Sequence, residues 1–184
     1  VEETDRILTA EARYGMRPKI HANELDNSGG VQVGVKHRAL SVDHLERMGD
    51  DEIEVLRGSG TIATMLPGAS FFLGMPYAPA RSAVDAGLTV ALASDYNPGS
   101  SPSGDMRMVW ALGCIKMRLT PTEALAACTI NGAAAMSLGT ELGSLAPGRT
   151  ASFVVTVPVP SLTFIPYAYT TPWIRDVFIA GKTI

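Results

Sequence analysis

Four side chains carry the chemistry that this sequence can be read for: His21, Glu24, His44 and Asp95. Asp95 closes the apolar run Leu88-Thr-Val-Ala-Leu-Ala-Ser and opens the turn Asp95-Tyr-Asn-Pro-Gly-Ser-Ser-Pro. An ionised carboxylate at the tip of a buried strand needs a partner, and the candidates are a metal, a proton donor or a backbone nest. His21 ends Met16-Arg-Pro-Lys-Ile and leads into Ala22-Asn-Glu24; His44 ends Ala39-Leu-Ser-Val-Asp and leads into Leu45-Glu46. Neutral imidazole and carboxylate are ligand types for Zn²⁺, and a catalytic zinc keeps one position open for water. Glu24 lies just past the end that presents His21, close enough to share a site with it. Each residue also has a plainer use: a lone histidine at a strand end can be a hydrogen-bonded structural group, and a lone aspartate before a turn can be an Asx cap. Three polar residues at three apolar run ends argue for one site. His37, inside Lys36-His-Arg38, reads as part of a solvated loop, and the eight methionines read as core.

The elements that must position these groups alternate between strand and helix. Strands are expected at residues 19–22, 40–44, 61–66 and 89–94, each short and apolar as befits strands covered on both faces. Helices are expected at 29–36, 50–59 and 80–86, with Gly60 and Gly87 as stops. Repeated strand, helix, strand units imply parallel pairing through right-handed crossovers, at the spacing of a (β/α) barrel. The fold class is therefore α/β, and four strands make half of a (β/α)8 TIM-type barrel. In such a barrel the strands' C-terminal ends share one mouth, so His21, Glu24, His44 and Asp95 should face one cavity.

Before the first strand, residues 2–14 pattern as a helix with Ile7, Leu8, Ala12 and Tyr14 on one face, capped by Gly15, and read as starting inside a longer parent. After the last barrel strand, 105–117 is an amphipathic helix. Thr120-Pro-Thr-Glu123 is a capping box opening a helix through Cys128, and another helix follows over 131–138. A turn-rich stretch, Gly143-Ser-Leu-Ala-Pro-Gly148, introduces strands at 151–157 and 173–179. Residues 1–142 thus read as half barrel with following helices, and 143–184 as strands of a small appended sheet.

Composition narrows the partners. The chain has 184 residues, 46% of them hydrophobic, enough to bury a substantial core. A net charge of -3 with scattered Lys and Arg gives no nucleic-acid footprint and no attraction to an anionic membrane surface. No apolar stretch is long enough to span a bilayer, and the charged opening Val1-Glu-Glu-Thr-Asp-Arg does not lead into a signal-peptide core. Cys114 and Cys128 fall in apolar helical patterns and read as buried free thiols, which fits a reducing, cytoplasmic setting.

Several strings are narrower than the strand-end pattern. Pro18-Lys-Ile-His21-Ala-Asn-Glu24-Leu, Ser41-Val-Asp-His44-Leu-Glu46, Leu66-Pro-Gly-Ala-Ser70-Phe-Phe-Leu-Gly and Ala93-Ser-Asp95-Tyr-Asn-Pro-Gly-Ser-Ser-Pro-Ser103 together resemble the imidazolonepropionases of the metal-dependent amidohydrolase superfamily. The resemblance covers nearly the whole chain and corresponds to that family's C-terminal portion. It implies hydrolysis of the cyclic amide of 4-imidazolone-5-propanoate to N-formimidoyl-L-glutamate in histidine breakdown, with one divalent metal, Zn or Fe, per active site. Residue by residue, it implies His21 and Asp95 as metal ligands and Glu24 as a carboxylate on the imidazolone ring. It makes His44 the histidine that helps activate the hydrolytic water, with Asn97, Gly99 and Ser100 on the substrate-holding loop.

Two parts of the family's pattern are missing. Its other metal ligands form a His-x-His pair, which does not occur here, and its propionate-binding arginine and tyrosine belong to the same absent half. Thr150-Ala-Ser152-Phe also departs from the usual Ala-Asp, a local turn difference. The chain therefore reads as a C-terminal fragment, inactive alone. Its partners would be the missing N-terminal half of the barrel or further copies in a homo-oligomer, because a half barrel leaves strand edges unpaired. Two other functions stay open: a different cyclic amidase or deaminase of the same superfamily, and a non-catalytic assembly or binding fragment.

Overall fold

The computed structural model describes residues 1–184. Four short strands, β1 (Lys19–Ala22), β2 (Ser41–His44), β3 (Ile62–Met65) and β4 (Val90–Leu92), form an all-parallel sheet in the order β1-β2-β3-β4. Crossovers run through α2 (Gly30–Lys36), α3 (Asp50–Leu56) and the pair α4 (Pro67–Leu73) and α5 (Ala80–Asp85). Every residue of β3 and β4 is buried, the pattern of strands covered on both faces. β1 alternates instead: Ile20 and Ala22 enter the core while Lys19 and His21 stay exposed.

Ile20, Val42, Ala63, Met65, Val90 and Leu92 all join the core that the crossover helices cover. Two glycines let helices approach closely. A Cβ at Gly34 in α2 would lie 2.5 Å from Val42, and one at Gly113 would lie 2.6 Å from Leu92. Gly113 belongs to α6 (Met106–Ile115), whose N-cap Asp105 accepts a hydrogen bond from the Arg107 amide. After it, α7 (Pro121–Cys128) opens with the expected capping box, Thr120 and Glu123 bonding reciprocally. Arg81 of α5 bridges Asp85 and Glu123, which ties α5 to α7 and lowers the Glu123 pKa to about 2. Next, α8 (Ile130–Ala135) lies against the sheet's other face: Asn131 donates to the Val90 carbonyl, and Ala135 packs with Ile62 and Ala91.

A second, antiparallel sheet is built from β5 (Phe153–Thr156), β6 (Ile174–Ile179) and β7 (Lys182–Thr183). Phe153 and Phe178 stack across it at 4.7 Å. Between β5 and β6 the chain forms α9 (Phe164–Tyr167), which packs on α6. Ile165 and Trp173 enter the main core, and Trp173 meets Trp110 edge to face at 6.2 Å. The main core therefore extends across residue 143.

Some expectations are corrected. In α1 (Glu2–Ala12) only Leu8 is buried; Ile7 and Tyr14 are exposed, because the helix is held by its charged side instead. Asp5 accepts from Lys36 Nζ and His37 Nε2, both at 2.7 Å, and these bonds hold its carboxyl below the usual range. His37 is accordingly not in a solvated loop: its side chain is 13% exposed. Of the methionines, Met48, Met65 and Met117 are core, whereas Met16, Met106 and Met136 are exposed. Cys114 and Cys128 are free and half-buried, and burial pushes their thiols up to about 11 and about 12. No helix is long and apolar enough to cross a membrane.

Candidate active site

The C-terminal ends of four parallel strands lie along one rim, and there the backbone leaves its ordinary conformations. Asn23 (φ 54°), His44 (φ 83°), Leu45 (φ 72°) and Asp95 (φ 51°) are all left-handed without being glycine. Such residues cost about 1–3 kcal/mol each and persist where the surroundings fix them. At His44 the consequence is visible. In register, Ala22 pairs with His44 and His21 with Asp43, so strict alternation would send His44 to the core side with Ala22. The backbone instead turns out of the strand, and His44 Nε2 comes to 2.9 Å from His21 Nδ1. Glu24 Oε2 stands 3.7 Å from the same Nε2. His21, Glu24 and His44 each present one ligand-type atom, all within 4.8 Å of one another.

Beneath them, on the other side of the His44 ring, is a carboxylate that the sequence reading did not single out. Glu46, its side chain fully buried, puts Oε2 3.6 Å from His44 Nδ1, and its Oε1 accepts a 2.8 Å bond from Ser70 Oγ. Burial by itself would lower the His44 pKa, but Glu46, Glu24 and Asp95 together raise it above the ordinary histidine value. The presence of Glu46 in Asp43-His44-Leu45-Glu46 was the available signal; its pairing with Ser70, 24 residues away, was not. Lys19, Ser41 and Asp43 were also missed. Lys19 lies 3.6 Å from Asp43, and Ser41 hydrogen-bonds with both.

Asp95 begins a turn that Asn97 organises. Asn97 Oδ1 accepts from the amides of Gly99 and Ser100, both at 2.8 Å, while its Nδ2 donates to the Asp95 carbonyl at 2.7 Å. Asp95 Oδ2 takes longer bonds from Asn97 Nδ2 and Ser100 Oγ, at 3.3 and 3.4 Å. Gly68 of α4 packs so closely against this turn that a Cβ there would lie 2.8 Å from Ser101 Oγ. Asp95 and His21 line one cavity of about 940 Å³, together with Lys19, Asp43, Thr64 and Leu66. Of the four residues expected to face one cavity, His21 and Asp95 line it and Glu24 and His44 do not; Glu24 and His44 instead meet His21, and Asp95 stands outside that trio.

This donor set fits a divalent metal. His21 Nδ1 is engaged with His44, which leaves Nε2 as the ring's free donor, and Asp95 offers a carboxylate held only by long bonds. The sequence profile of the amidohydrolase family matches residues 1–184, the whole chain. The chain belongs to the amidohydrolase family. It is 53% identical over 184 residues to an imidazolonepropionase of Christiangramia forsetii and 50% identical to one of Flavobacterium johnsoniae, covering all of this chain and 45% of each relative. This amidohydrolase chain therefore spans somewhat under half the length of the curated relatives it matches. Among solved structures, an adenosine deaminase from Xanthomonas campestris with bound zinc superposes with a TM-score of 0.82 at 20% identity, over 98% of this chain and 48% of that one. A second solved structure, A. niger ochratoxinase, gives a TM-score of 0.77 at 21% identity over 99% of this chain and 44% of that one. Those likenesses show the fold: the four parallel strands are half of a TIM-type barrel.

Proposed function

We propose that the protein to which this chain belongs is a metal-dependent imidazolonepropionase, hydrolysing 4-imidazolone-5-propanoate to N-formimidoyl-L-glutamate, in the cytoplasm. The observation that carries the reading is the meeting of His21, Glu24 and His44 at one rim, with Asp95 on the cavity that His21 lines, in a chain 53% identical to an imidazolonepropionase. His21 and Asp95 would hold a divalent metal, zinc or iron, which when bound supplies Lewis acidity and eases deprotonation of a water.

The chain's own residues do the rest. Asp95 takes the proton of the attacking water on a carboxylate oxygen and returns it to the ring nitrogen as the C–N bond breaks. Glu24, beside the His pair and part-exposed, accepts from a ring N–H of the substrate and fixes its orientation. When its ring carries a proton on both nitrogens, His44 orients the nucleophile and donates Nε2–H to the oxygen on which negative charge develops. The Asn97 turn supplies the Ser100 hydroxyl as a donor toward the substrate. We also infer self-association, or pairing with an N-terminal half barrel, from the free edges of β1 and β4.

Co-expression with a segment carrying the His-x-His pair tests this. Hydrolysis of 4-imidazolone-5-propanoate should appear in the assembled enzyme and be absent from the 184-residue chain alone. Turnover by the chain alone, or an assembled enzyme that deaminates another ring and leaves this substrate intact, would overturn it.

A further inference from the structure

The mechanism above leaves Glu46 and Ser70 without work. Glu46 is a carboxylate with a fully buried side chain, and a buried charge is retained only with partners. Ser70 satisfies Oε1, but Oε2 makes no hydrogen bond; the facing atom, His44 Nδ1, is likewise buried and makes none. They stand 3.6 Å apart. On its far side, His44 Nε2 sits 2.9 Å from His21 Nδ1. Ser70, Glu46, His44 and His21 therefore form one line from the interior to the cavity.

We propose that Glu46 is a positioning residue that fixes the protonation pattern of this line, so that His21 presents an unprotonated Nε2 to the cavity. The Ser70 hydroxyl donates to Glu46 Oε1. Glu46 Oε2 accepts the proton-bearing Nδ1 of His44, which leaves His44 Nε2 as an acceptor. His21 Nδ1–H donates to it, and His21 Nε2 keeps its lone pair for a ligand. Each contact along the line pairs one donor with one acceptor, and no proton is left over. Glu24 competes at 3.7 Å from His44 Nε2, where it would favour a proton. Its side chain is 29% exposed, however, so water can satisfy it, whereas an unpaired Glu46 oxygen has no such substitute and bears the full desolvation penalty. A metal-binding histidine characteristically has its other ring nitrogen held by such an outer partner. The role in metal binding rests on the proposed hydrolase reading; the tautomers do not.

The test is imidazole ¹⁵N spectroscopy of the whole chain without metal or substrate, at a pH raised until the ring signals no longer change with pH. Three histidines allow assignment by single substitution. His44 and His21 should both carry the proton on Nδ1, by about tenfold or more over the alternative. In Glu46→Gln, Ser70 orients the carboxamide oxygen and turns the NH₂ toward His44, so both rings should reverse to the Nε2–H form. A merely structural Glu46 would leave the tautomers alone. Wild-type His44 protonated on Nε2 overturns the proposal, as does a folded Glu46→Gln chain with both rings unchanged. Should that variant fail to fold by far-ultraviolet circular dichroism, the wild-type spectrum decides by itself. No outcome depends on which substrate the enzyme hydrolyses.

Discussion

The two faces of the parallel sheet are made by the same four strands and do opposite things. Toward the crossover helices stand Ile20, Val42, Ala63, Met65, Val90 and Leu92, packed without a charge among them. Toward the cavity of about 940 Å³ stand the polar Lys19, His21, Asp43 and Thr64, while Ile62 and Ala91 on the same face pack against α8. The first face holds the fold, and the second carries, beside the Ile62 and Ala91 contacts with α8, the polar groups that a ligand can reach. A substitution therefore reports on stability or on chemistry according to the parity of its position, except at His44, where the backbone breaks parity.

Substitutions can break that contrast. The largest effect expected is on the cavity side: in the assembled enzyme, Asp95→Asn should lower turnover of 4-imidazolone-5-propanoate by about 10²–10⁴-fold while unfolding stability moves by no more than about 0.5 kcal/mol. Steady-state kinetics beside a urea titration measures both; a matched loss of stability would place Asp95 among the structural residues. On the other face, Leu92→Ala should cost about 2–5 kcal/mol by the same titration, since Leu92 is 2% exposed and faces α6. A loss below about 1 kcal/mol would mean that the packed face tolerates cavities and the contrast is weaker than drawn.

Gly34→Ala comes next. With Val42 only 2.5 Å from the added Cβ, α2 must shift, at about 1–3 kcal/mol, which thermal unfolding would register. The smallest effect lies away from both faces. Glu123 has its pKa lowered to about 2 by the Arg81 bond and then by the Thr120 amide, so its contribution is full above its ordinary value of 4.5 and fades as pH falls toward about 2. Glu123→Gln should flatten that acid limb, while costing about 1 kcal/mol or less at pH 7 because the pair is part-exposed. An unchanged acid limb would show the bridge to be energetically silent.

Much of this contrast was legible in the residues. Short apolar runs ended by polar groups located β1 to β4 within a residue or two, and Thr120-Pro-Thr-Glu123 marked the start of α7, because capping and burial are local. What was missed depends on distant partners. α4 has no side-chain cap, and Pro67 at its first turn was the one signal for it. His37 reads as solvated until Asp5, 32 residues earlier, is folded against it. The trio of His21, Glu24 and His44 followed from strand ends sharing a rim, but Glu46 and Ser70 meet only once β2 and β3 are neighbours.

The edge-to-face pair of Trp110 and Trp173 has an optical consequence. These are the chain's two tryptophans, both nearly sealed from solvent, one on α6 and the other just ahead of β6. Their emission should be blue-shifted, and their crossed indoles should give a coupled near-ultraviolet dichroism band that vanishes when either is replaced by phenylalanine. Because Trp173 is carried by the segment that leads into the small sheet, detachment of that segment would redden the emission and erase the band while the parallel strands keep their far-ultraviolet signal. The molecule carries its own built-in dye for watching its C-terminal segment dock.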